Sequence, residues 1–335
     1  MIAQPDQPAG EAGATPPARP ARRRAAVRLL VPLLLLLAAS WVLRGRWHQV
    51  RPLLGRLDAL TLSASAAAVF AQLFVMFLCW RAILTDLGFP LPLVAGMRVL
   101  FVGQLGKYLP GSVWQVVAQM ELAREYRVPQ RASGAAVAIL SLLTVGCGLV
   151  VGVATVPLLN HAALRHYWWL AAVLPAVLVV ALPPVLNRLL GRALALARRQ
   201  PMPRPLSAGG LLQASGWALA GWLLAGVHVW LLAVRLGVGG GAVGLARDVG
   251  AFALAWCVGF LLVLAPAGAG VRETALVLLL GTGMPRPQAI VIAAVSRLLF
   301  LLGDLGWGGF ALLAARRHRH AAPAAAAPAG GDARR

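Results

Sequence analysis

Charge is scarce in this chain. Only 12% of its 335 residues are Asp, Glu, Lys or Arg, against about 25% in an ordinary soluble domain. With so few charges the chain has no polar surface for water, which excludes a soluble globular fold. Uncharged residues also run in unbroken blocks: Ala59 to Trp80, Ala132 to Leu164, His166 to Asn187, Pro205 to Val234 and Val249 to Val271. A helix crosses a bilayer core with ~20 apolar residues, and the periodic polar positions of a soluble helix are missing. The composition predicts an all-α, polytopic integral membrane protein.

Acidic residues, lysine and cysteine are scarcer still. Ten acidic residues face 31 basic ones, giving a net charge of +21. The arginines sit in tails and short loops (Arg22, Arg23, Arg24, Arg28; Arg316, Arg317, Arg319), as at membrane flanks held against anionic lipid. No stacking aromatics accompany them, so composition argues against nucleic acid. The three cysteines, Cys79, Cys147 and Cys257, lie inside apolar blocks without metal or disulfide spacing and read as small buried hydrophobes. His161 and His166 have no third ligand to hold a metal. Gly239, Gly241 and Gly244 match G-x-G-x-x-G without a βαβ unit and read as a loop after a span. A nucleophile elbow, a Walker loop and a carboxylate cluster are all missing. The sequence therefore predicts no cofactor, no metal and no enzyme activity.

Residues 1–26 form a basic N-terminal tail and 316–335 a C-terminal one, both too polar and Pro/Ala/Gly-rich to fold. Between them, 27–315 reads as one transmembrane domain. Spans are expected near 27–43, 59–80, 134–158, 167–187, 211–236, 248–265 and 287–315, with shorter segments near 98–118 and 270–284, about seven or eight helices in all. Leu29–Leu43 also fits a cleaved signal, since it ends near Ala38, Ala39 and Ser40. The long polar lead favours an anchor beginning near Val27. Pro183-Pro184 reads as a helix end. Loop arginines place the N-terminus in the cytoplasm, with loops 81–98, 119–133 and 188–204, if 98–118 enters and leaves on one side. The basic loop 44–58 runs against this arrangement. A cytoplasmic-membrane location follows from it.

Two segments break the apolar pattern: Phe101-Val-Gly-Gln-Leu-Gly-Lys-Tyr-Leu-Pro-Gly-Ser-Val-Trp114 and Leu264-Ala-Pro-Ala-Gly-Ala-Gly-Val-Arg-Glu273. Each has proline followed closely by glycine, which breaks a helix, and each has a cation beside the break, Lys107 or Arg272. Broken backbone at membrane depth is tolerated where it is buried or lines a cavity. A pair of such breaks points to a transporter's binding site. The free N–H groups of a restarting helix suit an anion. A kinked structural helix with a snorkelling cation is the plainer alternative. Lys107 is the only lysine, where a compact ammonium is wanted. The last span carries Arg297 and Asp304, two turns apart on one face. Ionisable groups there need partners, and Glu273 is expected for Arg297 and Lys107 for Asp304.

The string Gly103-Gln-Leu-Gly-Lys-Tyr-Leu-Pro-Gly-Ser-Val-Trp114, the later Pro266-Ala-Gly-Ala-Gly-Val-Arg-Glu273, and Ser296-Arg297 with Gly303-Asp304 resemble the lysylphosphatidylglycerol synthase transmembrane (flippase-like) family over roughly residues 30–315. The resemblance implies a lipid flippase-like domain that in well-known members moves an aminoacylated phospholipid between leaflets. The synthase domain of those members is not expected here, so the resemblance does not carry the lysyl-lipid substrate over. With the residues themselves it marks Lys107, Tyr108, Pro110, Gly111, Ser112, Trp114, Pro266, Gly268, Gly270, Arg272 and Glu273 for an anionic lipid. Arg297 and Asp304 form a charge network or couple a proton. Membrane lipids are the expected partners. A role in lipid or glycan assembly, as an enzyme or as a scaffold for a lipid-modifying or glycosyltransferase partner, stays open, as does a homo-oligomer.

Overall fold

The computed structural model describes residues 47–108, 114–159, 169–180, 182–261 and 270–321, all in helices and short connections. The chain is an all-α polytopic membrane protein. Among the described residues five helices are long and apolar enough to cross a membrane, and six if one bent pair is counted as a span. The expected span at 27–43 lies outside the described residues.

After a short helix α1 (Trp47–Leu54), the frame is set by α2 (Ala59–Asp86) and α8 (Ala208–Arg235). Asp58 caps α2 by accepting from the Thr61 amide at 2.8 Å, and Ser207 caps α8 by accepting from the Gly210 amide at 2.9 Å. Each cap satisfies an orphan N–H of the first turn. The caps also fasten the helices to each other. Arg235 pairs with Asp58 at 3.2 Å, and the Ser207 amide and hydroxyl donate to Asp86 at 2.6 and 2.7 Å. The two helices are therefore antiparallel over their whole length. Fully buried Ala214, Ala218 and Ala225 line the contact, where small residues let backbones approach in lipid. This pair defines an Asp58 end and an Asp86 end of the bundle.

From the Asp86 end a broken hairpin folds inward. Arg81 fixes its mouth by donating to the Leu91 carbonyl at 3.2 Å. Its first limb is α3 (Leu93–Met97), a widened π turn at Arg98–Val102 and, after Gly103 and Gln104, a 3₁₀ turn at Leu105–Tyr108. Its second limb is α4 (Trp114–Arg124). Arg98 grips Glu125 across the mouth with two hydrogen bonds, 2.5 and 3.1 Å. Further in, Gly103 lies against Gln119, and Gly106 against the Gln115 backbone. This antiparallel order means that 98–118 enters and leaves at one end.

Helix α5 (Gln130–Leu159) then runs to the other end, followed by α6 (Trp169–Val180) and α7 (Pro183–Leu196). The last pair is bent by 70°, a correction to the single span expected over 167–187. Pro183-Pro184 does stop α6, but it also starts α7, because proline suits the first helical turn; much of the expected loop 188–204 is thus helix.

A second hairpin opens at the Asp58 end. Its limbs are α9 (Gly241–Leu261) and α10 (Val271–Leu280). Gly259 lies against Arg272, and Arg247 reaches the Gly283 carbonyl at 3.4 Å, so these limbs are antiparallel too. α9 starts well before the expected 248 and takes in Gly241 and Gly244, which were expected in a loop. It accommodates Arg247 and Asp248 because they neutralise each other at 2.9 Å. Segment 270–284 does not cross on its own; it is the return limb.

The last helix, α11 (Arg286–Ala321), is about 54 Å long at 1.5 Å per residue. It runs beyond the expected 287–315 and into the stretch expected as tail. Gly303 packs on Leu73, close to the midpoint of α2, and the Trp307 indole donates to the Phe70 carbonyl at 3.0 Å. Asp304 therefore sits at mid-depth.

Candidate functional site: two hairpin tips on one helix face

Arg297, Phe300 and Asp304 recur at helical spacing and line one face of α11. Each is met by a residue from a hairpin tip. Asp304 is 3% exposed, and its Oδ2 receives both the Lys107 ammonium at 2.6 Å and the Tyr108 hydroxyl, donating at 2.6 Å. The irregular first limb makes this reach possible. A π turn followed by a tighter 3₁₀ turn places Lys107 and Tyr108, adjacent in sequence, toward one carboxylate. π turns are rare and often fall at functional positions. Behind them, Phe101 stacks on Trp307 at 5.1 Å and Trp307 on Phe74 at 5.3 Å, locking this limb to α11 and α2.

The second tip is built differently. Gly270 caps α10 with φ +86°, a left-handed conformation that favours glycine. The Glu273 carboxylate closes the cap by accepting from the Gly270 amide at 2.7 Å. Its other oxygen lies 3.5 Å from Arg297 Nε. Both expected pairings, Lys107 with Asp304 and Glu273 with Arg297, are therefore present.

Arg272 makes no ion pair among the described residues. Its guanidinium lies 4.7 Å from the ring centroids of both Phe252 and Phe300, which are themselves stacked at 5.7 Å. A guanidinium is well suited to lie on aromatic faces. It remains within electrostatic range of Arg297, Glu273, Asp304 and Tyr108. Since Phe300 is one turn from both Arg297 and Asp304, the two tip cations meet the same stretch of α11, about 6 Å apart along its axis.

Of the other expected site residues, Trp114 opens α4 and is exposed. Pro110, Gly111, Ser112, Pro266 and Gly268 lie outside the described residues. Sequence reasoning missed His228, Phe252 and Phe300. The His228 ring is fully buried, bonded to the Ser296 hydroxyl at 2.9 Å, and edge-on to Phe252 and Phe300 at 5.0 and 5.5 Å. It thus supports the rings that carry Arg272. A histidine inside the block 205–234 was a usable signal; two phenylalanines among many apolar residues gave none. Among the described residues no three His, Cys, Asp or Glu side chains gather as a metal site.

The family model for the lysylphosphatidylglycerol synthase TM region matches residues 26–308, a span that includes both hairpins and the charged face of α11. The chain belongs to this family. No curated protein matches it. The membership bears out the resemblance drawn from the K-Y-L-P-G-S-V-W and P-A-G-A-G-V-R-E strings, and covers the region holding both.

Proposed function

We propose that this family member binds an anionic phospholipid at mid-depth and passes it between leaflets of the cytoplasmic membrane, as a carrier and not as an enzyme. One observation carries the reading: two hairpins from opposite ends of the bundle bring Lys107 and Arg272 to the same face of α11. A headgroup entering from either leaflet would reach the same cations, which is what alternating access requires of a binding site. Charge inside a span is costly and usually serves function. Three cations kept at this depth favour a phosphate-bearing ligand over a merely structural role.

The bundle's charge supports an orientation. Arg81, Arg98, Arg124, Arg131 and Arg204 gather toward the Asp86 end, which the positive-inside bias assigns to the cytoplasm. The first hairpin then opens to the cytoplasmic leaflet and the second to the outer one. The sequence contains no ATP-binding loop, so an ion gradient or the lipid's own gradient would drive movement.

The test is transport of labelled phosphatidylglycerol in proteoliposomes. Lys107→Ala and Arg272→Ala are each expected to slow it about tenfold or more, the scale of one lost charge-assisted contact. Transport at the parent rate by both variants would overturn the reading.

A further inference from the structure

The charges that converge on α11 do not cancel. Lys107 is neutralised by Asp304 and Arg297 by Glu273. Arg272 is left over, seated on Phe252 and Phe300 without a carboxylate of its own. The connecting tips, 109–113 and 262–269, contain no ionisable residue, so they cannot alter the count. His228, bonded to Ser296, is an imidazole and is counted neutral. The other buried pair, Arg247 with Asp248, is self-compensated and lies toward the Asp58 end. Among the described residues and these two tips, the centre therefore carries one uncompensated positive charge.

An unpaired charge away from water is expensive. Aromatic faces offset part of that cost, but they do not remove the charge. A ligand with one negative charge would complete the balance. One with two would leave an excess anion at mid-depth, and a zwitterion, bringing its own cation with its phosphate, would leave the net charge at one. We infer that the site selects a lipid headgroup carrying a single negative charge, a phosphodiester, over diphosphate-linked and zwitterionic lipids, and that Arg272 is the residue that sets this charge. The inference rests on the lipid-carrier reading above and deepens it from "anionic" to a definite charge.

This makes selectivity adjustable by substitution. Glu273→Gln raises the site from one positive charge to two while keeping the cap, because Gln serves a capping box as Glu does. Asp304→Asn makes the same change at the other tip. Arg272→Met brings the site to zero, and Arg272→Lys leaves it at one. The experiment is competition binding to the purified full chain in nanodiscs, with phosphatidylglycerol, a sugar-capped polyprenyl diphosphate (two negative charges) and phosphatidylcholine as probes, and thermal unfolding recorded for every variant.

The parent is expected to prefer phosphatidylglycerol over both other lipids. Glu273→Gln should shift the ratio toward the diphosphate about tenfold or more, given the strength of one added charge at such short range. Arg272→Met should lose the preference over phosphatidylcholine, and Arg272→Lys should retain it. If Asp304→Asn unfolds, Glu273→Gln still decides. A parent that binds the diphosphate as tightly as phosphatidylglycerol, or a ratio unmoved by Glu273→Gln and Arg272→Met, overturns the inference while leaving an anionic-lipid carrier standing. A parent that prefers neither anionic lipid over phosphatidylcholine overturns both.

Discussion

The two hairpins present a cation to the same helix face by opposite means. The first is irregular in its backbone and fully compensated in charge: α, π and 3₁₀ turns follow one another, and Lys107 ends on a buried carboxylate. The second has regular α-helical limbs, and its cation ends on aromatic rings. In the first, the unusual backbone serves to reach a strong partner. In the second, the limbs are ordinary helix and the unusual feature is the absence of such a partner among the described residues. The comparison separates two duties of a cation at mid-depth: holding the fold together and remaining available to a ligand. Lys107 is the better placed for the first and Arg272 for the second.

The sharpest way to break the comparison is at the glycines where the limbs meet. A Cβ on Gly106 would lie 2.8 Å from the Gln115 amide nitrogen and 2.9 Å from its Cα, backbone atoms that cannot swing aside. Gly106→Val should part the first hairpin, cost about 3 kcal/mol or more, and abolish transport, as measured by thermal unfolding in detergent and by vesicle assay.

Next comes removal of each cation. Lys107→Ala strands the Asp304 carboxylate at 3% exposure, and breaking a buried pair on one side costs about 3–5 kcal/mol. Arg272→Ala strands no carboxylate and forfeits an aromatic contact worth about 0.5–2 kcal/mol. Lys107→Ala should therefore lower the unfolding temperature well beyond Arg272→Ala, although both impair transport. Equal thermal losses would erase the division of duties. The double change Lys107→Met with Asp304→Leu should recover most of the stability but not the transport.

The smallest effect is expected at the mouth of the first hairpin. Arg98 is largely covered, but Glu125 is 47% exposed. Glu125→Gln should cost about 1 kcal/mol or less, and the loss should shrink in high salt.

Much of this site was legible in the sequence because charge in an apolar block is conspicuous. Lys107, Arg272, Glu273, Arg297 and Asp304 announce themselves, and the need to neutralise buried charge fixes two of the pairings. The proline–glycine breaks likewise mark where the helices are interrupted. What was hidden depends on contacts between residues that all look alike to a hydropathy argument. Phe252 and Phe300 are two apolar residues among many, and only the crossing of α9 and α11 makes them a seat for Arg272. The early start of α9 was hidden for a different reason. Arg247 and Asp248 mark a natural helix start by charge alone, and only their mutual neutralisation lets the helix hold both and begin earlier. The 70° turn between α6 and α7 was equally obscure, since a double proline can end one helix and begin another with no change in the apolar pattern.

The single rod α11 gears the two tips together. Its charged and cation–aromatic contacts with the two tips lie on one strip of surface, within two turns. Rolling the rod about its long axis would carry that strip away from both tips together, and a hinge between residues 297 and 304 would be needed to free one tip alone. On the carrier reading proposed above, access from the two leaflets would be mechanically linked through a shared shaft. Spin-label distances from α11 to each hairpin are expected to change in step when lipid is added.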